Sequence, residues 1–111
     1  MAYVSKQCRM ALQVPGIVPL KVWAYDTVDA LATIYAIGYI SDAKAKGMLK
    51  GDIVIVRRWT TAVPVATSEL KTAAATANVL VSTTLHNVIG IDATTGAADL
   101  TDGLAITITN T

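Results

Sequence analysis

A single cysteine, Cys8, and a single histidine, His86, are the residues best suited to nucleophilic or acid–base chemistry in this chain. With one of the aspartates they would make a triad in which the imidazole takes the thiol proton. No sharp glycine-framed turn surrounds Cys8, and no Gly-x-Ser-x-Gly segment offers a serine in its place. His86 is therefore expected to be a partly exposed or hydrogen-bonded sheet residue, and Cys8 a small, reduced, inert one. One cysteine allows no internal disulfide. Asp92, Asp99 and Asp102 share one segment and could in principle chelate calcium. An EF-hand needs acids at alternate positions and a closing Glu, so they read instead as turn formers. One His and one Cys supply no zinc-ligand spacing. Gly47 and Gly51 sit near Lys46 and Lys50, but a phosphate loop opens a helix, whereas this segment opens a strand. Lys44, Lys46, Lys50, Arg57, Arg58 and Trp59 could form a basic patch with an aromatic. Asp42 and Asp52 interrupt it, and the formal net charge is only +1. No catalysis, metal, cofactor or direct nucleic-acid contact is expected.

The elements that must position these residues concentrate in residues 20–59. Leu20–Tyr25 alternates, with Leu20, Val22 and Ala24 on one face and Lys21, Trp23 and Tyr25 on the other. Either face suits burial. Asp26 or Thr27 followed by Asp29 resembles a helix cap, and Val28, Leu31, Ala32 and Tyr35 recur at helical spacing. One short α-helix is expected near residues 27–36, stopped by Gly38. Ser41 and Asp42 precede one or two further helical turns that end at Gly47. Lys50-Gly51-Asp52 turns into Ile53-Val54-Ile55-Val56, a β-branched run that reads as a central strand buried on both faces and continuing to Trp59.

Elsewhere, residues 1–16 read as an extended N-terminal arm ending at Pro15-Gly16. Residues 60–78 read as an edge strand and loop. Asn78–Thr84 reads as a strand and Leu85–Ile91 as continuing into another, with Gly90 as a possible bulge. Residues 92–103 read as a loop. Leu104–Thr109 shows the cleanest period-two alternation. The expected architecture is mainly β: one domain over residues 1–111, a β-sandwich or jelly-roll-like fold with that one short helix. The expected core is Val22, Ala24, Val28, Leu31, Ile34, Tyr35, Ile40, Ile53, Ile55, Val79, Val81, Ile106 and Ile108, so that Ile55→Asp would unfold the domain.

Composition bears on partners. Hydrophobic residues make up 53% of the chain and charged residues 15%, against about 25% charged in ordinary soluble domains. A surface so short of charge is expected to be covered in part by another protein. Lys6 and Arg9 precede an apolar run, but Gln13, Pro15, Gly16 and Pro19 interrupt it, unlike a signal peptide. No run is long enough to span a membrane. Arg57, Arg58 and Trp59, where the patterned stretch meets the Thr/Ala-rich half, are candidate interface residues, because Arg and Trp are common binding anchors.

The segment from Trp23 to Val56 carries a resemblance. Gly38-Tyr39-Ile40-Ser41-Asp42-Ala43, followed by Gly51-Asp52 and a β-branched strand, is similar to segments of small proteins encoded beside the major capsid protein of tailed bacteriophages. In length and texture the whole chain resembles the head decoration (staple) proteins of epsilon15-like podoviruses, strongly over residues 20–59 and only in β-texture over 60–111. The Gly-Tyr-x-Ser/Asn-Asp-Ala element also occurs in other phage virion proteins, including fibre-type ones. The resemblance implies a non-enzymatic virion protein on the outer capsid surface, present in the host cytoplasm during assembly. Its implied partners are the major capsid protein and a second copy of itself, paired at local two-fold positions. An adaptor or fibre-attachment module elsewhere on the virion is the alternative.

Overall fold

The computed structural model describes residues 3–65 and 79–106. The chain is mainly β, as expected: one mixed six-stranded sheet with two short α-helices, a small β-sandwich-like domain. The strands are β1 (Cys8–Val14), β2 (Leu20–Thr27), β3 (Ile53–Trp59), β4 (Leu80–Ile91), β5 (Ala98–Leu100) and β6 (Leu104–Ile106). Their order is β1-β2-β3-β4-β5, with β6 also paired to β4. β1 is antiparallel to β2, β2 is parallel to β3, and β4 is antiparallel to β3, β5 and β6.

Residues of the expected N-terminal arm are held against the sheet. After a 3-10 turn at Ser5–Gln7, β1 pairs along β2, from Cys8 opposite Tyr25 to Val14 opposite Leu20, with an irregularity between Met10 and Leu12. β4 is a single strand of 12 residues rather than two. The segment expected as a loop contains β5, which pairs with the end of β4, and the register slips at Gly90. β5 and β6 run in the same direction along one side of β4, so together they form one return strand broken at residues 101–103.

A parallel pair cannot be closed by a tight turn. Residues 28–52 therefore cross over between β2 and β3 and supply α1 (Leu31–Ile34) and α2 (Ala43–Lys46). The helix expected over 27–36 is shorter and starts later. Asp26 and Thr27 are the last residues of β2 rather than helix caps. The Thr27 hydroxyl still accepts from a backbone amide, that of Asp29 at 3.0 Å, in the turn ahead of α1. α2 stops at Gly47, whose φ of 89° is a left-handed conformation that glycine adopts without strain.

The crossover covers one face of the sheet. The core on that face consists of Cys8, Trp23, Tyr25, Val54, Val56 and Val88, met by Ile34, Ile40, Ala43 and Met48 from the crossover and by Ala98 and Leu100 from β5. Ile34 and Ile40 are where the sequence places them. Val22, Ala24, Ile53 and Ile55 lie on the other face and are only half-buried; so are Val28, Leu31 and Tyr35 in the crossover. Val79, Val81 and Ile106 are exposed, and Ile108 lies outside the described residues.

The polar tips of the aromatics decide which face is covered. Trp23 Nε1 donates to Asp52 Oδ2 at 3.0 Å, and the same oxygen accepts from the Leu49 amide at 2.9 Å. Tyr25 and Tyr39 share a hydrogen bond of 2.8 Å, and Tyr39 donates to Asp29 Oδ2 at 2.5 Å. An indole or phenol is buried at little cost only where such partners wait, and the crossover provides them.

The N-terminus is tied to the same crossover. Tyr3 donates to Asp42 Oδ1 at 2.6 Å, Ser5 donates to the other Asp42 oxygen, and Lys46 Nζ donates to the Cys8 carbonyl at 3.0 Å. Partial desolvation pushes the Asp42 carboxyl up, but the hydrogen bonds from Ser5 and Tyr3 and the charge of Lys46 outweigh it and leave Asp42 below its ordinary value.

The covered and open faces predict opposite outcomes for neighbouring residues. Val56→Asp buries a charge without a partner and is expected to abolish cooperative melting by circular dichroism. Ile55→Asp, whose carboxylate reaches water on the open face, is expected to stay folded with a lowered melting temperature. Asp42 predicts an acid-sensitive latch. Its contribution is intact above the ordinary aspartate pKa of about 3.9 and is lost as pH falls through the lower folded value. Amide exchange at residues 3–7 is expected to accelerate in that window ahead of global unfolding, and Asp42→Asn should give the fast exchange at neutral pH.

Candidate protein-interaction surface

The candidate catalytic pair is not assembled. Cys8 lies on β1 and His86 on β4, with β2 and β3 between them. Three strand spacings put them about 14 Å apart. Cys8 is buried, and that burial pushes its thiol pKa up, away from reactive thiolate. The His86 ring is fixed at both nitrogens: Nδ1 lies 2.7 Å from the Thr101 carbonyl and Nε2 lies 2.8 Å from the Thr84 hydroxyl. With Nδ1–H donating to the carbonyl, Nε2 accepts from Thr84. Gly103 packs on this ring so tightly that a Cβ there would stand 2.7 Å from His86 Cε1. His86 is thus the filler of the break between β5 and β6.

The three loop aspartates do not converge, and among the described residues no group of three His, Cys, Asp or Glu is placed to hold a metal ion. Asp92 Oδ1 accepts from the amides of Thr94 and Thr95 at 2.7 and 2.8 Å, as a turn former does. The basic residues are dispersed: Lys44 and Lys50 point to solvent, and Lys46 is tied to β1.

Arg57, Arg58 and Trp59 do not form one patch. Arg57 and Trp59 share the open face and converge on Asp26. Arg57 makes a two-pronged contact, Nε to Oδ1 at 2.7 Å and a terminal nitrogen to Oδ2 at 3.0 Å. Trp59 Nε1 donates to Oδ1 at 3.1 Å, and Arg9 approaches Oδ2 at 3.5 Å. The Arg57 guanidinium also sits 5.4 Å from the centre of the Trp59 ring. Trp59 is therefore a buried structural residue, not a free anchor, while the Arg57 side chain remains 44% exposed at the rim. Arg58 belongs to the opposite face, donating to the Asp29 carbonyl at 3.0 Å and the Ser82 hydroxyl at 3.2 Å.

What the structure does assemble is the open face. The registers place Ala24, Ile55, Leu85 and Leu104 in one row across four strands, with Leu12, Val22, Ile53 and Asn87 in the next. Val14 and Leu20 extend this surface along β1 and β2, and Ile106 extends it along β6. Leu104 is 69% exposed, Leu12 54%, and Val14, Leu20 and Ile106 between 40% and 46%. Single exposed apolar residues are ordinary, but a contiguous set spanning a sheet makes this face the candidate interaction surface. Where β4 meets the broken return strand the surface deepens into a groove of about 680 Å³.

Sequence reasoning missed this surface because alternation shows that two faces exist without showing which one is covered. The signal was present in Leu12, Val14 and Leu20, apolar residues on strands with few charges. No helix among the described residues is long and apolar enough to cross a membrane. Compared with protein-family models, curated proteins and solved structures, the chain matches none.

The Asp26 cluster yields a stability prediction. Asp26→Asn preserves shape but removes the charge that faces Arg57 and Arg9. Because both arginines are partly solvated, the expected loss is moderate, about 1–2 kcal/mol. It is to be read from urea unfolding followed by tryptophan fluorescence.

Proposed function

We propose that this chain is a structural virion protein that binds the outer surface of an icosahedral phage capsid and clamps neighbouring capsomers. The observation that carries a binding role is the open apolar face. The sheet and the crossover already make two layers, and among the described residues nothing packs on the second apolar face of the sheet, so a protein partner is the natural cover. The sequence resemblance over Trp23 to Val56 supplies the identity of that partner, the major capsid protein. Two further features support a scaffold rather than an enzyme: Cys8 and His86 lie apart, and the polar tips of Trp23, Tyr25 and Tyr39 are tied into the crossover.

A shell clamp does not need high affinity per copy. Bridging subunits of a symmetric lattice turns each second contact into an intramolecular one. Pairing of two copies at local two-fold positions fits the general preference for isologous dimers. The same sequence element occurs in fibre-type virion proteins, so the competing reading is an adaptor elsewhere on the particle. Copy number separates the two. A clamp matches the capsid protein in abundance on a gel of intact particles, and an adaptor is far scarcer.

Purified protein mixed with undecorated heads is expected to co-sediment with them. Leu104→Glu and Leu12→Glu, both on exposed positions, should keep the melting temperature within a few degrees and lower the bound fraction at least tenfold. Wild-type protein that stays in the supernatant would overturn the proposal.

A further inference from the structure

The groove at the β6 end of the open face has its own chemistry. Its floor and walls are Ile53, Leu85, Ile89 and Leu104, with Asn87 among them and Asp102 at the mouth. Ile89 is 48% exposed and Leu104 69%, so the apolar lining faces water in the isolated chain. Asp102 is exposed, and among the described residues no lysine or arginine lines the groove. The cations of the open face, Arg9 and Arg57, are instead gathered around Asp26. His86, Thr101 and Gly103 complete the lining, so the groove is mainly apolar, and among the described residues Asp102 is its one acidic group.

Its volume, about 680 Å³, lies in the range of clefts that take ligands. Its wide mouth argues against a small molecule, since such sites enclose most of the ligand surface. An extended polypeptide fits better. Alternate side chains of such a segment enter the groove while the rest of it covers the adjoining row of Ala24, Ile55 and Leu85. The broken return strand makes the room. Thr101 bonds back to β4, its carbonyl to His86 and its hydroxyl to the Asn87 amide at 2.9 Å, and the chain then detours through Asp102 and Gly103 before rejoining β4 at Leu104.

We infer that this groove receives an extended segment of the partner protein carrying two apolar side chains at i and i+2 and a flanking lysine or arginine that pairs with Asp102. The inference deepens the proposed function and rests on it only for the protein that supplies the segment. The pairing with Asp102 sets orientation and selectivity more than affinity, because an exposed ion pair contributes little.

The test uses two blocked peptides, Lys-Leu-Thr-Leu-Lys and Glu-Leu-Thr-Leu-Glu, titrated into isotope-labelled full-length protein and followed by amide chemical shifts. The expected result is a set of shifts centred on Asn87, Ile89 and Leu104, with the basic peptide binding about threefold more tightly. Asp102→Lys should reverse that preference and Leu104→Glu should remove the shifts, both with the melting curve retained. Shifts centred elsewhere, no shifts at all, or equal binding of the two peptides would overturn the inference. Head co-sedimentation run in parallel separates the two ideas. Peptide binding without head binding overturns the capsid reading alone, and head binding with no groove shifts overturns the groove alone.

Discussion

The parallel pairing of β2 with β3 is the constraint from which the rest of the structure follows. Two parallel neighbours need a long connection, and residues 28–52 provide it. That connection can lie on only one face of the sheet. It lies on the face of Trp23 and Tyr25, because Asp52, Tyr39 and Asp29 within it satisfy the indole and the phenols. One face thus acquires a core whose aromatic polar tips are paired, and the other is left with β-branched and leucine side chains at the surface. The open face is a consequence of how the chain is connected, not a local accident of composition.

The open face has a defined edge at each end, and buried polar groups build both. At one end Asp26 gathers Arg57, Trp59 and Arg9, so that two cations and an indole are held by one carboxylate. Burying a carboxylate is costly, and these donors offset that cost. At the other end His86 fills the break in the return strand, and Gly103, with φ of 102° and no room for a Cβ, lets the chain pass over the ring. The imidazole, expected from the sequence to be a sheet residue rather than a base, serves to shape the groove wall.

How much of this was legible in the sequence depends on what kind of signal each part leaves. The β-rich class, the stop at Gly47, the strand from Ile53 to Trp59 and the slip at Gly90 all rest on local chemistry, and local chemistry is written in the residues. The covered face was not legible. In Leu20–Tyr25 and Ile53–Val56 both sets of alternating residues are apolar, and the choice between them was made by hydrogen bonds from Trp23 to Asp52 and between Tyr25 and Tyr39, 29 and 14 residues apart. The expected core therefore fell largely on the surface that the structure leaves open. Asp26 and Thr27 misled for a related reason. A cap and a strand end both favour a short polar residue, and only the pairing of Asp26 with Arg57 across β2 and β3 tells them apart.

Val22, Ile53, Ile55 and Ile106 look like core residues because they have the composition of an interior. On a solitary domain such a surface would favour indiscriminate association, and few charges are present to oppose it. The exposed outer strand β1 adds an unpaired edge among the described residues, with Arg9 as its only charge. A chain built this way gains stability and solubility together when a partner covers it, since the same apolar area that is a liability in isolation becomes the interface on binding. Paired polar groups at both ends keep the sheet rigid, so little ordering cost is left for the binding step. The proposed role would use such a sheet, with one finished and one unfinished face, in many copies on a repeating surface, where each copy needs only modest affinity and the lattice supplies the rest.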